Sequence, residues 1–526
     1  MNNNKFELPT IFVIFGITGD LFRNRMLRSL YALHLKGLLP KKFQIYGFSR
    51  REFDDAAAKE YVKNVMIDEK FHEPEKYEQF LSAFHYVSGN FDSKESYKKL
   101  AEVLGRVDDH WKICSNKLFY LAVPPQHYRS IIDNLHESGL TIPCSPEEGW
   151  TRVILEKPFG TDLQNAKELD SRLGELFKEE QIYRVDHYLA KETVRNILAF
   201  RFSNTFFTNW SHHNIEKIEI KMFEEASVSR RGDFFDKVGS LRDIGQNHLL
   251  QLLALFTMDN PGTLSPNNIR RARAAALNQL RKLSVEEVPL YTVRGQYEGF
   301  RSEKGVDPQS NTETYFKLKA FSNCKDFQNI PLYIESGKAE RDLTEVAITF
   351  KHTEPCLCPL SGHRKNVLRY ILDPHEKITA SFLVKKPGYG FEVEEQSFEF
   401  DYRKAFSHSN FIYDYEQLLM DIIRGDQTLF VTTEEILSEW EFVEPILESW
   451  KSGNPPLLTY KQNDDFSPQV DDDVQQEKKR KDIGIIGLGK MGTGLALHLI
   501  EKGWDVHAYN RSPEKVDALL GNGVIP

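Results

Sequence analysis

Two short stretches hold the residue types that move protons and grip phosphate. The first is Arg184-Val185-Asp186-His187-Tyr188-Leu189-Ala190-Lys191-Glu192, which packs two acids, two strong cations, an imidazole and a phenol into nine residues. The second is Arg242-Asp243-Ile244-Gly245-Gln246-Asn247-His248-Leu249-Leu250-Gln251. A histidine suits general-base work near neutral pH. It works better when a carboxylate orients the ring and stabilises its protonated form. His248 with Asp186, joined by tertiary contact, is therefore the candidate base and partner. In the first stretch His187 and Lys191 are four apart and share a helical face, with Tyr188 beside them, as a phosphate site requires. In the second, helical spacing puts Asp243, Asn247 and Gln251 on one face with His248 at its edge. A satisfied core histidine and an exposed surface cluster fit the same residues equally well on spacing alone.

These stretches need elements to hold them. Thr10 to Phe15 is short, β-branched and aromatic, and reads as a buried strand. It runs into Gly16-Ile17-Thr18-Gly19-Asp20-Leu21 and then a helical pattern through Leu27, Leu30, Tyr31 and Leu33. A strand, a glycine turn and a helix open a βαβ unit, where backbone N–H groups and a helix N-terminus can meet a pyrophosphate. The second strand, Gln44 to Ser49, ends in Arg50-Arg51 instead of an acid. An arginine there can pair with a 2′-phosphate, which favours NADP over NAD. Further strands at Phe84 to Val87, Leu118 to Val123 and Arg152 to Leu155 alternate with helices, as in an open parallel sheet. Gly16, Arg50, Pro124 and Lys157 stand at the ends of those strands, on the edge where such sheets bind ligands. An amphipathic helix from Leu163 to Glu179 leads to the first stretch.

After Phe200 the pattern changes. Ile215 to Met222 alternates, and strand-like runs recur at Tyr315 to Ala320, Pro331 to Ile334, Glu345 to Phe350, Asn366 to Leu372 and Lys377 to Leu383. A helix through Gln246 to Phe256 lies between, and Asp414 to about Trp450 is helical. The expected fold is thus an α/β Rossmann-type domain (1–186) and a large α+β domain with a mostly antiparallel sheet (187–460). Residues 461–481 hold three large apolar residues and runs of charge, and are expected to be a disordered linker. From 482 to 526 the chain restarts: Ile483 to Ile486 runs into Gly487-Leu488-Gly489-Lys490-Met491-Gly492, then a helix and a second strand ending at Asn510-Arg511. This is an incomplete βαβ stub of a second NADP-binding fold, expected to lack a sheet of its own.

Bulk properties bound the partners. The chain has 526 residues, 40% hydrophobic and 28% charged, with a net charge of −9, so nothing suggests nucleic-acid binding. The first apolar run, Ile11 to Phe15, is too short for a signal peptide or membrane span, and a cytoplasmic protein is expected. Five cysteines, sparse and odd in number, are expected to be reduced thiols. Cys356-Leu357-Cys358 lacks a second pair and reads as a loop, so no metal is expected.

The Gly16 turn, Phe119-Tyr120-Leu121-Ala122-Val123-Pro124-Pro125, Glu156-Lys157-Pro158-Phe159-Gly160 and the two chemical stretches together resemble the glucose-6-phosphate dehydrogenase family over roughly residues 8 to 455. Tyr415-Glu416-Gln417-Leu418-Leu419 and Gly425-Asp426-Gln427-Thr428-Leu429-Phe430 are similar too. The resemblance implies oxidation of glucose 6-phosphate at C1 to 6-phospho-D-glucono-1,5-lactone with hydride transfer to NADP, the first oxidative step of the pentose phosphate pathway. It implies a homodimer, joined through the sheet, or a homotetramer. By motif position, His248 would be the base and Asp186 its partner. His187, Tyr188 and Lys191 would hold the phosphate; Glu224, Asp243 and Lys338 would hold sugar hydroxyls. Lys157 would bridge substrate and cofactor, and Gly16, Thr18, Gly19, Asp20, Leu21, Arg50 and Pro124 would form the cofactor site. The sequence departs from the family at Arg25 and Arg28, where a lysine and a proline are expected, and at Phe234-Phe235. Gly337-Lys338-Ala339-Glu340-Arg341 is one residue short, with Arg341 standing in for the second basic residue. The tail resembles the start of 6-phosphogluconate dehydrogenase, with Gly487, Gly489, Gly492 and Arg511 as cofactor residues, which implies a fused parent and no second activity from the stub. The alternative function is a non-catalytic regulator that binds NADP and sugar phosphate on the same fold; turnover would separate the two.

Overall fold

The computed structural model describes residues 9–144, 149–205, 210–352, 364–406, 412–464, 466–470, 481–502, 504–520 and 523–525. They form two compact units, Met1–Ser467 and Pro468–Pro526. Cys356 and Cys358 lie outside the described residues.

The first unit starts with six strands: β1 (Thr10–Phe15), β2 (Phe43–Ser49), β3 (Phe84–Ser88), β4 (Asn116–Leu121), β5 (Thr151–Glu156) and β6 (Ile182–Val185). All pair in parallel, in the order β3-β2-β1-β4-β5-β6. β1 is buried along its whole length because helices cover both faces of the sheet. Its alternation divides the core. Ile11, Val13 and Phe15 pack with Tyr97, Leu100 and Ile131 on one face, while Phe12 and Ile14 meet Phe22, Leu30 and Val62 on the other. The order reverses between β1 and β4, and that reversal opens a crevice at the C-terminal ends of the strands.

Nine strands build the second sheet: β7 (Ile215–Glu224), β8 (Thr292–Tyr297), β9 (Tyr315–Ala320), β10 (Leu332–Lys338), β11 (Leu343–Phe350), β12 (Val367–Asp373), β13 (Lys377–Lys385), β14 (Val393–Asp401) and β15 (Leu457–Tyr460). Their order is β14-β13-β12-β11-β7-β10-β9-β8-β15. Only β7–β10 and β8–β15 pair in parallel. Ile218 and Ile220 of the central strand face Leu249, Leu252 and Leu253 of the helix that carries His248. The expected fold class is therefore what the chain builds.

Three expectations change. Of the stretch expected to be linker, residues 461–464 and 466–467 pack against the large sheet: Phe466 stacks on Tyr460 and Ser467 bonds Glu335, because an aromatic ring has apolar surface to cover. Residues 471–480 lie outside the described residues. Cys114 and Cys144 are joined as a disulfide, with Cα atoms 6.4 Å apart. They stand ahead of the neighbouring parallel strands β4 and β5, so residues far apart in sequence meet. The tail does form a sheet: β16 (Lys481–Ile486), β17 (Trp504–Tyr509) and β18 (Val524–Ile525) pair in that order over a small core of Ile485, Leu488, Val506 and Val516. The two-residue β18 carried no readable alternation. No helix among the described residues is long and apolar enough to cross a membrane.

Candidate active site

The residue after β6 is Asp186, and the chain turns there through a single turn of helix, His187–Ala190, whose N-terminus Asp186 caps by accepting from Tyr188 N at 3.0 Å. The helix Glu192–Ser203 follows. This tight turn places Asp186, His187, Tyr188 and Lys191 at the seam between the two sheets. Arg184, from the same stretch, faces the opposite way. It is 2% exposed and paired with Asp170 and Glu179, and it tethers the helix Thr433–Lys451 through Thr433.

His248 comes from a wide, π-type stretch, Leu241–Leu249, which continues into the helix Leu250–Thr257. In that register residues five apart align. Asp243 and His248 face the seam, while Gln246 and Gln251 both reach Glu439, at 3.5 and 2.7 Å. The expected face of Asp243, Asn247 and Gln251 is therefore not kept. Asn247 instead accepts from His248 N, at 2.7 Å.

The result is a buried pair. His248 Nδ1 lies 2.6 Å from Asp186 Oδ1, with side chains 1% and 2% exposed. Burial opposes the Asp186 carboxylate, but the charge and hydrogen bond of His248 outweigh it and hold the acid below its usual range. Burial pushes His248 down more strongly than Asp186 pulls it up. An ionised acid thus faces a neutral imidazole with Nε2 available, the arrangement a general base needs. The His187 ring stands edge-on to His248 with centroids 5.0 Å apart, and Tyr188 lies 4.5 Å from it. Burial, then the neighbouring His248, hold His187 well below its usual value, so it is a neutral hydrogen-bonding group. Lys191 sits 4.5 Å over the Tyr188 ring and 3.4 Å from Asp373. Asp186, His187 and His248 also bring ligand-type atoms within 4.8 Å of one another. His248 and Asp186 already use theirs on each other.

A second group adjoins the first. Lys157, from the loop after β5, donates to Asp243 O at 2.6 Å and stands 3.3 Å from its carboxylate. Lys338 and Glu224 are register partners at the ends of β10 and β7, so their side chains pair, and Lys338 is 3.7 Å from Asp243. Burial, and then Lys157, push the Lys338 ammonium down to about 8. Lys338 also lies 5.5 Å from the ring of Phe235, one of the two departures at 234–235. Arg341 is exposed on the turn that follows β10. Arg25 and Arg28 line a cavity of about 470 Å³ with Glu192, Asp414 and Tyr415, so both departures face the seam. Arg28 also donates to Glu69 O at 2.9 Å.

The cofactor-type residues gather at the β1–β4 reversal. Gly16 has φ +90°, and a Cβ there would lie 2.5 Å from Ala122 O and 2.9 Å from Val123. Only glycine fits. Gly19 N donates to Gly16 O at 2.9 Å, which closes the turn around Thr18 and leads to Asp20 and Leu21. Arg50 is exposed at the end of β2, and Pro124 is exposed just beyond β4. The donor set fits a dinucleotide carrying a 2′-phosphate: a glycine cradle at the switch point and a guanidinium at the second strand end. In the second unit, Gly487 has φ +98°, and a Cβ on Gly492 would collide with Gly487 O, so this turn also demands glycine. Arg511 follows β17 there.

Sequence reasoning missed Glu156. It is the last residue of β5 and accepts from Tyr120 and, at 3.1 Å, from Tyr415, whose ring stacks on His187. Burial pushes its carboxyl to about 7. Its place beside Lys157 was the available signal.

Comparison with known proteins agrees with this geometry. Residues 13–196 match the family model for the glucose-6-phosphate dehydrogenase NAD-binding domain, and 198–481 match that for its C-terminal domain. Residues 482–526 match the NAD-binding domain of 6-phosphogluconate dehydrogenase. Glucose-6-phosphate 1-dehydrogenases of Borreliella burgdorferi and Aggregatibacter actinomycetemcomitans are each 38% identical. The alignments cover 83% and 85% of this chain and 91% and 92% of theirs. A glucose-6-phosphate dehydrogenase solved in complex with glucose 6-phosphate superposes with a TM-score of 0.80 at 29% identity, over 89% of this chain and 97% of its own. Two adjoining family models, covering both sheets and the seam between them, establish that this chain belongs to the glucose-6-phosphate dehydrogenase family.

Proposed function

We propose that this chain oxidises glucose 6-phosphate at C1 to 6-phospho-D-glucono-1,5-lactone, with NADP as the hydride acceptor. The observation that carries the reading is the buried His248–Asp186 pair at the seam, beside three lysines and next to a glycine cradle. The Gly16 turn would hold NADP, which would supply the hydride acceptor for C1. The chain's own residues do the rest. His248 Nε2 takes the C1 hydroxyl proton as the C1–O bond becomes a carbonyl. Asp186 holds the ring through Nδ1 and stabilises the imidazolium that forms. His187, Tyr188 and Lys191 hold the phosphate. Glu224, Asp243 and Lys338 hold the sugar hydroxyls, and Arg341 supplies a further cation at the rim. Lys157 spans substrate and cofactor. Gly16, Thr18, Gly19, Asp20, Leu21 and Pro124 receive the dinucleotide, and Arg50 takes its 2′-phosphate.

We read the assembly as a homodimer or homotetramer joined through the second sheet. Phe382, Phe398 and Phe400 on the outer strands β13 and β14 are 41%, 70% and 42% exposed, apolar surface that a second copy would cover. We place the enzyme in the cytoplasm; one Arabidopsis thaliana relative, 34% identical, has "cytoplasmic" in its name. We read the second unit as a cofactor-binding fold of the 6-phosphogluconate dehydrogenase type: the first product, once hydrolysed, is the acid such an enzyme oxidises. Gly487, Gly489, Gly492 and Arg511 give the unit a cofactor-type turn, and we assign it no reaction of its own.

The test is a steady-state assay of NADPH formation with glucose 6-phosphate, comparing NADP and NAD. NADP-dependent turnover with preference over NAD is expected. Binding of both ligands without turnover would contradict the reading.

A further inference from the structure

Lys338 ends β10, and the next residue holds the chain in a rare conformation: Ala339 has φ +54°. A non-glycine residue stays there only when its surroundings over-determine it. The amides of this turn are held by the end of β7 and by the residues flanking β7 and β9: Lys338 N by Thr314 O at 2.9 Å, Ala339 N by Ala226 O at 3.3 Å and Glu340 N by Glu224 O at 3.1 Å. The two central carbonyls are held by the segment that follows the helix Thr433–Lys451. Tyr460 Oη donates to Lys338 O at 2.7 Å, and Asn463 N donates to Ala339 O at 2.7 Å.

That segment is itself fixed at several points. β15 pairs with β8 and forms the edge of the sheet. The Tyr460 ring, 3% exposed, is sandwiched: Phe466 stacks on it at 4.9 Å and Tyr315 meets it edge-on at 5.8 Å. Ser467 donates to the buried Glu335 at 3.1 Å. Every fixed point lies around the turn that presents Lys338.

We propose that Leu457–Asp464, together with Phe466 and Ser467, is a strap that aims Lys338 into the substrate site, with Tyr460 as its positioning residue. The inference rests on Lys338 being a substrate-binding residue, as in the reading above. Three observations favour a positioning role over plain packing. The Tyr460 hydroxyl bonds the backbone of Lys338 itself, and its other contacts, Thr314 Oγ1 at 2.9 Å and Thr314 O at 3.3 Å, lie on the residue that holds Lys338 N. The next residue is strained and would relax if released. Lys338 must also meet Glu224 and Asp243 together, which a small rotation of the turn would undo.

The experiment measures kcat and both KM values for K338Q, Y460F, F466A and Y460F combined with Ala339→Gly, all in the full chain. K338Q is expected to raise the KM for glucose 6-phosphate at least about tenfold, the scale of a lost charged hydrogen bond. Y460F keeps the ring and loses one hydroxyl, and is expected to raise the same KM roughly 3- to 10-fold, with kcat and the KM for NADP within about twofold. Glycine adopts the turn without strain, so Ala339→Gly should recover part of the loss. F466A, which keeps the hydroxyl and removes its backing ring, should show a smaller rise, and it carries the test if Y460F does not fold. An unchanged sugar-phosphate KM in Y460F with a raised one in K338Q would overturn the strap and leave the functional reading standing. No change in K338Q would overturn the assignment of Lys338 and the strap with it. A KM for NADP that rises in step would mark general loosening, and would also overturn the strap.

Discussion

The chain carries two glycine turns at the end of a first strand, and they sit in different surroundings. The turn at Gly16 departs from the usual GxGxxG spacing, yet its strand is flanked on both sides, by β2 and β4. Ala122 presses so close that no Cβ fits. The turn at Gly487 has the full motif, but β16 is the edge of a three-stranded sheet with a neighbour on one side only. Ile486, Met491 and Tyr509 around it are 86%, 89% and 68% exposed. The crevice that receives a dinucleotide lies between the first strand and its neighbour at the reversal of strand order. The motif supplies the local backbone, and the sheet supplies the site. The weaker motif in the complete sheet is thus the one placed beside a base.

This contrast can be broken by substitution. Gly16→Val puts a branched side chain where φ is +90° and Ala122 O is 2.5 Å away. It should remove activity by more than about 100-fold, mainly through the KM for NADP, since the pyrophosphate loses its cradle. Arg50→Ala should come next, lowering the preference for NADP over NAD by roughly 10- to 100-fold, the scale of charge-assisted hydrogen bonds to one phosphate. Arg511→Ala should leave that preference unchanged. Gly492→Val should have a similarly small effect. It breaks the second turn and should leave glucose 6-phosphate oxidation within about twofold, measured by the same assay. A large loss there would mean that the second unit takes part in the first reaction.

Asp186 gives a test in pH. The base works unprotonated, so kcat/KM is present above the His248 pKa and lost as pH falls through it. Burial sets that pKa below the ordinary imidazole value near 6.5, and Asp186 opposes the shift. Asp186→Asn should therefore move the acid limb to still lower pH while lowering kcat. A limb that moved upward would contradict the pairing.

Much of this could be read in advance, for physical reasons. β1 to β5 are buried on both faces or end in glycine and proline, and burial of that kind leaves short continuous apolar runs. β6 was hidden because Arg184 sits inside it, satisfied by Asp170 and Glu179. β14 was hidden because both of its faces are largely exposed. The pairing of His248 with Asp186 was legible as chemistry, since a base calls for an acid. The face that carries His248 was not. Its helix opens in a five-residue register, which spacing arguments built on 3.6 residues per turn do not foresee. Glu156 was overlooked because it reads as the end of a strand; only folding brings Tyr120 and Tyr415 to it.

The central claim is that His248 removes the proton from the C1 hydroxyl. The most direct measurement is kcat for His248→Asn with saturating glucose 6-phosphate and NADP, alongside NADP binding as a check on folding. The account predicts a loss of about 10²- to 10⁴-fold with cofactor affinity preserved. A variant that binds NADP normally and keeps kcat within tenfold of the parent would contradict it.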